Sequence, residues 1–368
     1  MGLFDYYKQF EGLSEEEVNS GLRKDARARR AAELARIEPI DCSRTTWHEY
    51  PPSEIVDAIT YNARRGLQRY AEGRETVLRE LLAQRHGVAD TRVVIGEGAS
   101  GILQRATHEL LSPGDELVIP WPCYPLYPLL ARDAHATPVP VSGLDPERLL
   151  AAVTPQTRMM VLGGPNDPTG ELLSAAAIRE LRSQLPERVV LVVDEALREF
   201  VTAEPIDATL RLTDELPGLV VVRSFSKIWG LAGLRSGYAV AHPDSTPLLA
   251  TLAPRLGSAD LSLAGSTAGL RTATPLVTAR AAANARERDR LTAELTTLGL
   301  MVTPSQSCAV WVRPSDGDGS GLVTRLEQGG VIVQAGGPLG DPSHVRITVR
   351  DGTATERITR VLAAEHAR

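Results

Sequence analysis

Between Thr91 and Val222 the chain repeats one pattern: a short apolar run, a stretch long enough to hold a helix, then another apolar run. The runs fall at Thr91 to Ile95, Glu116 to Ile119, Thr137 to Val141, Met159 to Leu162, Val189 to Val193 and Leu219 to Val222. Strands separated by helix-length connections lie side by side and parallel, and near-continuous apolar runs require cover on both faces. The pattern predicts an α/β fold: a large domain with a mostly parallel sheet covered by helices.

The chain has 368 residues, more than one hydrophobic core ordinarily serves, so a second, smaller domain is expected. Ser14 to Ala35 reads as a charged helix opened by the capping-box pair Ser14 and Glu17. The apolar spacing from Val56 to His86 is helical. After Ala264 the character changes. Pro275 to Leu298 predicts a long connecting helix, with a proline in its first turn and Gly299 beyond its end. Strands follow at Ser307 to Val312, Val331 to Val333 and Val345 to Val349, with helices at Gly321 to Gln328 and Thr353 to Ala364. The expected division is an N-terminal helical arm over 1–35, a large domain over 36–264 and a small α+β domain over 265–368.

Hydrophobic residues make up 43% of the chain and charged ones 23%, the balance of a soluble globular protein. The net charge of −6 is spread without long blocks, which excludes a nucleic-acid or anionic-membrane partner and leaves small molecules. Cys42, Cys123 and Cys308 lack the pairing and spacing of a disulfide framework or a zinc site, which suggests a reducing compartment. The start, MGLFDYYKQFEGLSEEE, shows no secretion signal, and no apolar run approaches the roughly 20 residues that span a bilayer. A cytoplasmic location is expected.

Four segments carry chemistry. Gly96-Glu97-Gly98-Ala99-Ser100-Gly101 follows a strand and opens a helix, where backbone N–H groups and the helix dipole hold a phosphate or simply make a turn. Tyr124, between Cys123 and Pro125, lies beyond a strand's carboxyl end, where open α/β sheets bind ligands; it either stacks on a planar group or packs a loop. Asp194 ends the buried run VVLVVD, where a carboxylate needs a cation, a hydrogen-bond donor or a helix start to offset its desolvation. Lys227 lies between a buried strand and a glycine-rich turn, as a surface residue or a desolvated nucleophile.

Together these segments resemble the class I/II aminotransferases of pyridoxal-phosphate fold type I, and within them the histidinol-phosphate aminotransferase branch. The similarity runs from about Val56 to the C-terminus and is most specific over Ser224 to Tyr238, SFSKIWGLAGLRSGY. It implies the cofactor pyridoxal 5′-phosphate, held by Lys227 as a Schiff base, with Lys227 also moving the Cα proton. It implies that Asp194 pairs with the pyridinium nitrogen, that Tyr124 stacks on the ring, and that Gly98, Ala99, Ser100, Ser224 and Arg235 hold the phosphate. Tyr70 matches a tyrosine that reaches the partner's site, which implies a homodimer. Arg346, in Val345-Arg346-Ile347-Thr348, matches the arginine whose fork binds a substrate α-carboxylate. The implied reaction moves an amino group from an amino acid or related amine to a 2-oxo acid through pyridoxamine phosphate.

The chain departs from this pattern at three places. Asp167 stands in Asn166-Asp167-Pro168-Thr169-Gly170 where the family has an asparagine that donates to the cofactor's phenolic oxygen, and an ionised Asp cannot donate. Leu197 stands where the family often has a tyrosine donating to the same oxygen. Loss of both donors favours a protonated Schiff base, or a protonated Asp167. Asp41 to Pro51 replaces the branch's Asn-Glu-Asn-Pro-like segment at the mouth of the site, with Arg44 or His48 as candidates to meet an anionic substrate side chain. The scaffold also supports decarboxylation, elimination and cyclisation, which stay open as alternatives. A non-catalytic regulator would need a DNA-binding module, and the roughly 55 residues ahead of the matched region are too short for one with its linker.

Overall fold

The computed structural model describes residues 38–71 and 73–366. The predicted helix at Ser14 to Ala35, and with it the arm over 1–35, lies outside them. The described chain begins with β1 (Ile40–Asp41), followed by α1 (Ser53–Gly66) and α2 (Arg74–His86). Periodicity predicts continuous helical spacing from Val56 to His86. The structure breaks it ahead of α2, where Gly73 takes φ 73°, a left-handed conformation that L side chains resist.

Next come β2 (Val93–Gly96), α3 (Gly98–Leu110), β3 (Glu116–Trp121), α4 (Leu126–Asp133) and β4 (Thr137–Ser142). Then follow α5 (Pro146–Ala151), β5 (Thr157–Gly163), α6 (Ala175–Gln184), β6 (Val190–Asp194), β7 (Leu219–Ser224) and β8 (Gly237–Ala241). They build a seven-stranded sheet in the order β2-β8-β7-β6-β5-β3-β4. Only β8 runs antiparallel to its neighbours. Successive residues of a strand face opposite sides, so Val193, Val221 and Val240 enter one apolar cluster while Val192, Val220 and Ala239 enter the other. Full burial of each such valine contributes about 1.5–3 kcal/mol. Both faces are covered, as the apolar runs require.

Register positions the site. Gly163 of β5 pairs with Asp194 of β6, and Asp194 pairs with Val222 of β7. The three strands therefore end at nearly one level, and the loops that leave them emerge along one edge.

After α7 (Thr246–Leu252) and α8 (Asp260–Thr272), the long α9 (Thr274–Thr297) joins the two lobes. Val277 near its start packs into the core of the large sheet, whereas Leu291 and Leu295 near its end pack into that of the small lobe. The small lobe contains β9 (Met301–Thr303), β10 (Ala309–Arg313), α10 (Gly319–Gln328), β11 (Val331–Ile332), β12 (Gln334–Ala335), β13 (Val345–Thr348) and α11 (Gly352–His366). Its antiparallel sheet has the order β12-β13-β10-β9. Apart from it, β1 pairs in parallel with β11, so the segment ahead of the large sheet is anchored on the small lobe.

Candidate active site

Ala99, Ser100, Tyr124, Asp167, Asp194, Ser224, Lys227 and Arg235, separated by up to 136 positions, line one cavity at the carboxyl edge of the large sheet. Leu197, Ser226 and Tyr127 line it too.

Asp194 lies at the end of β6 and is 8% exposed. The backbone N–H of Ala196 donates to its Oδ1 at 3.0 Å, and Tyr127 Oη donates to its Oδ2 at 3.0 Å. Burial raises its pKa above the ordinary carboxylate value, against the lowering effect of these two bonds and of the Lys227 charge. The adjacent Glu195 is fully buried and is held by Arg223 at 2.8 Å and Arg198 at 3.5 Å. Arg223 also pairs with Asp207 at 2.7 Å, so an ion network behind the sheet edge fixes the backbone that presents Asp194.

Lys227 follows β7 in a turn closed by the Gly230 N–H donating to its carbonyl at 2.9 Å. Its Nζ donates to Thr45 Oγ1 at 2.5 Å. Tyr124 meets Tyr127 edge to face with ring centroids 5.7 Å apart, and burial together with the charges of Asp194 and Asp167 raises its pKa. Asn166, Asp167 and Thr169 leave β5 along the same edge.

At the start of α3 the side chain of Glu97, the residue ahead of the helix, makes no capping bond to the first N–H groups. Arg235 faces this end, its Nη2 donating to Ser100 Oγ at 2.8 Å and its Nη1 to Ser226 Oγ at 3.2 Å. The Ser226 N–H donates to Ser224 Oγ at 3.0 Å. Gly98 takes φ 76°, and a Cβ on it would lie 2.8 Å from Arg235 Nη2. Gly237 of β8 lies flat against the same helix end: a Cβ there would sit 2.6 Å from the Ala99 nitrogen and 2.7 Å from the Arg223 carbonyl. Free helix N–H groups, hydroxyls and a guanidinium around one point form a cradle for a phosphate. A buried carboxylate, a lysine amine and an aromatic face share the cavity, so its residues fit a phosphorylated pyridine aldehyde.

Arg346 reaches the cavity edge from β13, pairing with Asp167 at 2.6 Å. Arg44 is not among the residues that line the cavity; its side chain is 80% exposed and 3.8 Å from Asp41. His48 faces Asp351 at 3.8 Å. Tyr70 is 85% exposed on this chain. Sequence reasoning did not single out Thr45, Tyr127 or Ser226. For Ser226 a signal existed, its place inside SFSK; Thr45 and Tyr127 gain their meaning only from distant partners.

Comparison with known proteins agrees with this geometry. The chain matches the family Aminotransferase class I and II over residues 43–364. It is 35% identical over 316 residues to histidinol-phosphate aminotransferase 1 of Nitrosococcus oceani, covering 85% of each chain. It is 32% identical over 324 residues to an aromatic amino acid aminotransferase of Corynebacterium efficiens, covering 86% of this chain and 91% of that one. Among solved structures, histidinol-phosphate aminotransferase from Sinorhizobium meliloti in complex with pyridoxal-5′-phosphate has the same fold, with a TM-score of 0.80 at 24% identity over 91% of this chain and 94% of that one. The cradle, the buried aspartate and the lysine thus sit in a chain that belongs to the class I and II aminotransferase family.

Proposed function

We propose that this aminotransferase uses Lys227, Asp194 and the Ser100–Arg235 cradle to operate pyridoxal 5′-phosphate. The observation that carries the reading is the convergence of the Lys227 amine, the buried Asp194 carboxylate and the phosphate cradle on one cavity. When bound, the cofactor supplies a sink for the electron pair left on Cα as its proton departs. Lys227 takes that proton and returns it in the reverse half-reaction, and Thr45 steadies its amine. Asp194, ionised and held by Tyr127 and Ala196, keeps a proton on the ring nitrogen. Tyr124 offers its face to the ring. Gly98, Ala99, Ser100, Ser224 and Arg235 take the phosphate, with Ser226 orienting Arg235. Arg346 faces the group beside the amino-bearing carbon, and exposed Arg44 remains the candidate for an anionic side chain.

The amino donor is an amino acid or related amine and the acceptor a 2-oxo acid. We assign a homodimer in which Tyr70 reaches the partner's site; Tyr61, Leu67, Tyr70 and Leu256 are 57–89% exposed, large side chains of the kind that association would cover. We place the enzyme in the cytoplasm, in keeping with three buried free cysteines. Among the described residues, no helix is long and apolar enough to cross a membrane.

The test is the absorbance spectrum of the purified protein before and after single amino donors, with no oxo acid present. Conversion of the bound cofactor to its pyridoxamine form supports the reading. Release of carbon dioxide, ammonia or a cyclised product without that conversion moves the assignment to a lyase-type reaction.

A further inference from the structure

Arg346 does not present an open fork to the cavity. Its Nη1 donates to Asp167 Oδ1 at 2.6 Å and its Nη2 to the Ser43 carbonyl at 2.7 Å. The two side chains are 8% and 13% exposed, so water screens the pair poorly and the charge-assisted bond is strong. The nitrogen pair that would grip a substrate carboxylate is therefore engaged, on one side by a carboxylate of the protein itself. An incoming carboxylate that takes this nitrogen pair must displace Asp167 or share the guanidinium with it, and in either case it lies beside Asp167, two like charges in a space that Asp194 already makes more anionic. A donor whose reacting carbon bears hydrogen or a hydroxymethyl group meets no such repulsion, and a hydroxyl there donates to Asp167.

We propose that Asp167 is a specificity-determining residue that turns the site away from α-amino acids and toward amino donors with no carboxylate on the reacting carbon, namely primary amines and 2-amino alcohols. This rests on the reading of Arg346 given under the proposed function. The transfer balances as before: the donor's C–N bond is exchanged for C=O with oxygen from water, the Cα proton passes to Lys227, and the amino group is delivered to a carbonyl acceptor in the reverse half-reaction. A 2-oxo acid acceptor meets Asp167 too, so its KM is raised by the same repulsion.

The experiment uses the holoenzyme and its Asp167→Asn variant, with Asp167→Ser repeating the comparison if the first does not fold. Half-reaction kcat/KM is measured for phenylalanine against phenylalaninol and histidine against histidinol. Calorimetry reads the binding of 3-phenylpropionate, a carboxylate that cannot react. The wild type is expected to prefer the amino alcohol of each pair by about tenfold or more, and Asp167→Asn to shift the ratio toward the amino acid and tighten 3-phenylpropionate by about tenfold or more. Preference of the wild type for the amino acid, or a variant that moves neither ratio nor affinity, overturns the proposal. If no donor converts either protein, transamination itself fails as the reading. The 3-phenylpropionate comparison then still decides the role of Asp167: tighter binding to the variant supports it, equal or weaker binding overturns it.

Discussion

Tyr127 Oη donates to Asp194 Oδ2 at 3.0 Å from inside the sheet edge, where both groups are buried. Tyr127→Phe removes a bond that holds the Asp194 pKa down, so the carboxylate that should face the ring nitrogen ionises at a higher pH. Activity that needs this carboxylate is lost as pH falls through its folded pKa. The acid limb of the half-reaction pH profile is therefore expected to move to higher pH in the variant, with roughly tenfold weaker cofactor retention. An unmoved limb would show that Asp194 does not set it. For stability the sign is opposite: without cofactor, Asp194 costs the fold increasingly as pH rises from the ordinary carboxylate range through its raised pKa.

Gly237→Ala places a methyl group 2.6 Å from the Ala99 nitrogen and 2.7 Å from the Arg223 carbonyl. Neither backbone atom is the end of a flexible side chain, so α3 must shift. The expected cost is about 1–3 kcal/mol in thermal or denaturant unfolding. Cofactor titration should show weaker binding, because the shift moves the N–H groups of the cradle.

His86 lies 3.4 Å from Asp207 and 2.8 Å from Tyr238 Oη. Burial lowers its pKa despite the neighbouring carboxylate. Asp207 is held well below the usual carboxylate range: burial alone would raise it, but its bond to His86 and the charge of Arg223 outweigh that. Both groups make stability fall with pH. His86 loses it from about pH 6.5 downward, as the unfolded chain gains a proton that the folded one resists, and Asp207 loses it below the usual carboxylate pKa. Asp207→Asn should flatten the lower part of this acid limb and cost about 1–3 kcal/mol at neutral pH, measured by denaturant unfolding across pH.

Lys227→Ala and Tyr70→Ala should each reduce turnover, the first by at least about 100-fold. If Tyr70 serves the partner's site, a mixed dimer of the two variants contains one site with both residues intact. Co-expression should then give activity above that of either variant alone. Absence of restoration in a verified mixed dimer counts against the shared site.

That Ser224, Lys227 and Arg235 share one cavity was legible because they lie in one short run, and Asp194 was legible as a candidate because a charge terminates a buried strand. The contacts that set chemical behaviour were not. Asp167 and Arg346 are 179 positions apart, and Lys227 and Thr45 are 182 apart. Periodicity reports which face of an element is buried, never which residue lies opposite. For the same reason β8, a five-residue strand whose first two residues end the SFSKIWGLAGLRSGY run, was not separated as the one strand that reverses direction in the large sheet. The β1–β11 pairing likewise joins short segments with no periodic signature of their own.

That pairing sets one more property of the site. Just after β1, the Ser43 carbonyl holds Arg346 and the Thr45 hydroxyl holds Lys227. The guanidinium and the amine are thus gauged by adjoining points on a single ruler of backbone, fastened at one end to the small lobe. With Lys227 and Arg346 in their proposed roles, a substrate would be measured by how its reacting carbon and the neighbouring group fit that spacing, and a small-lobe movement that slid the ruler would reset both ends in the same stroke.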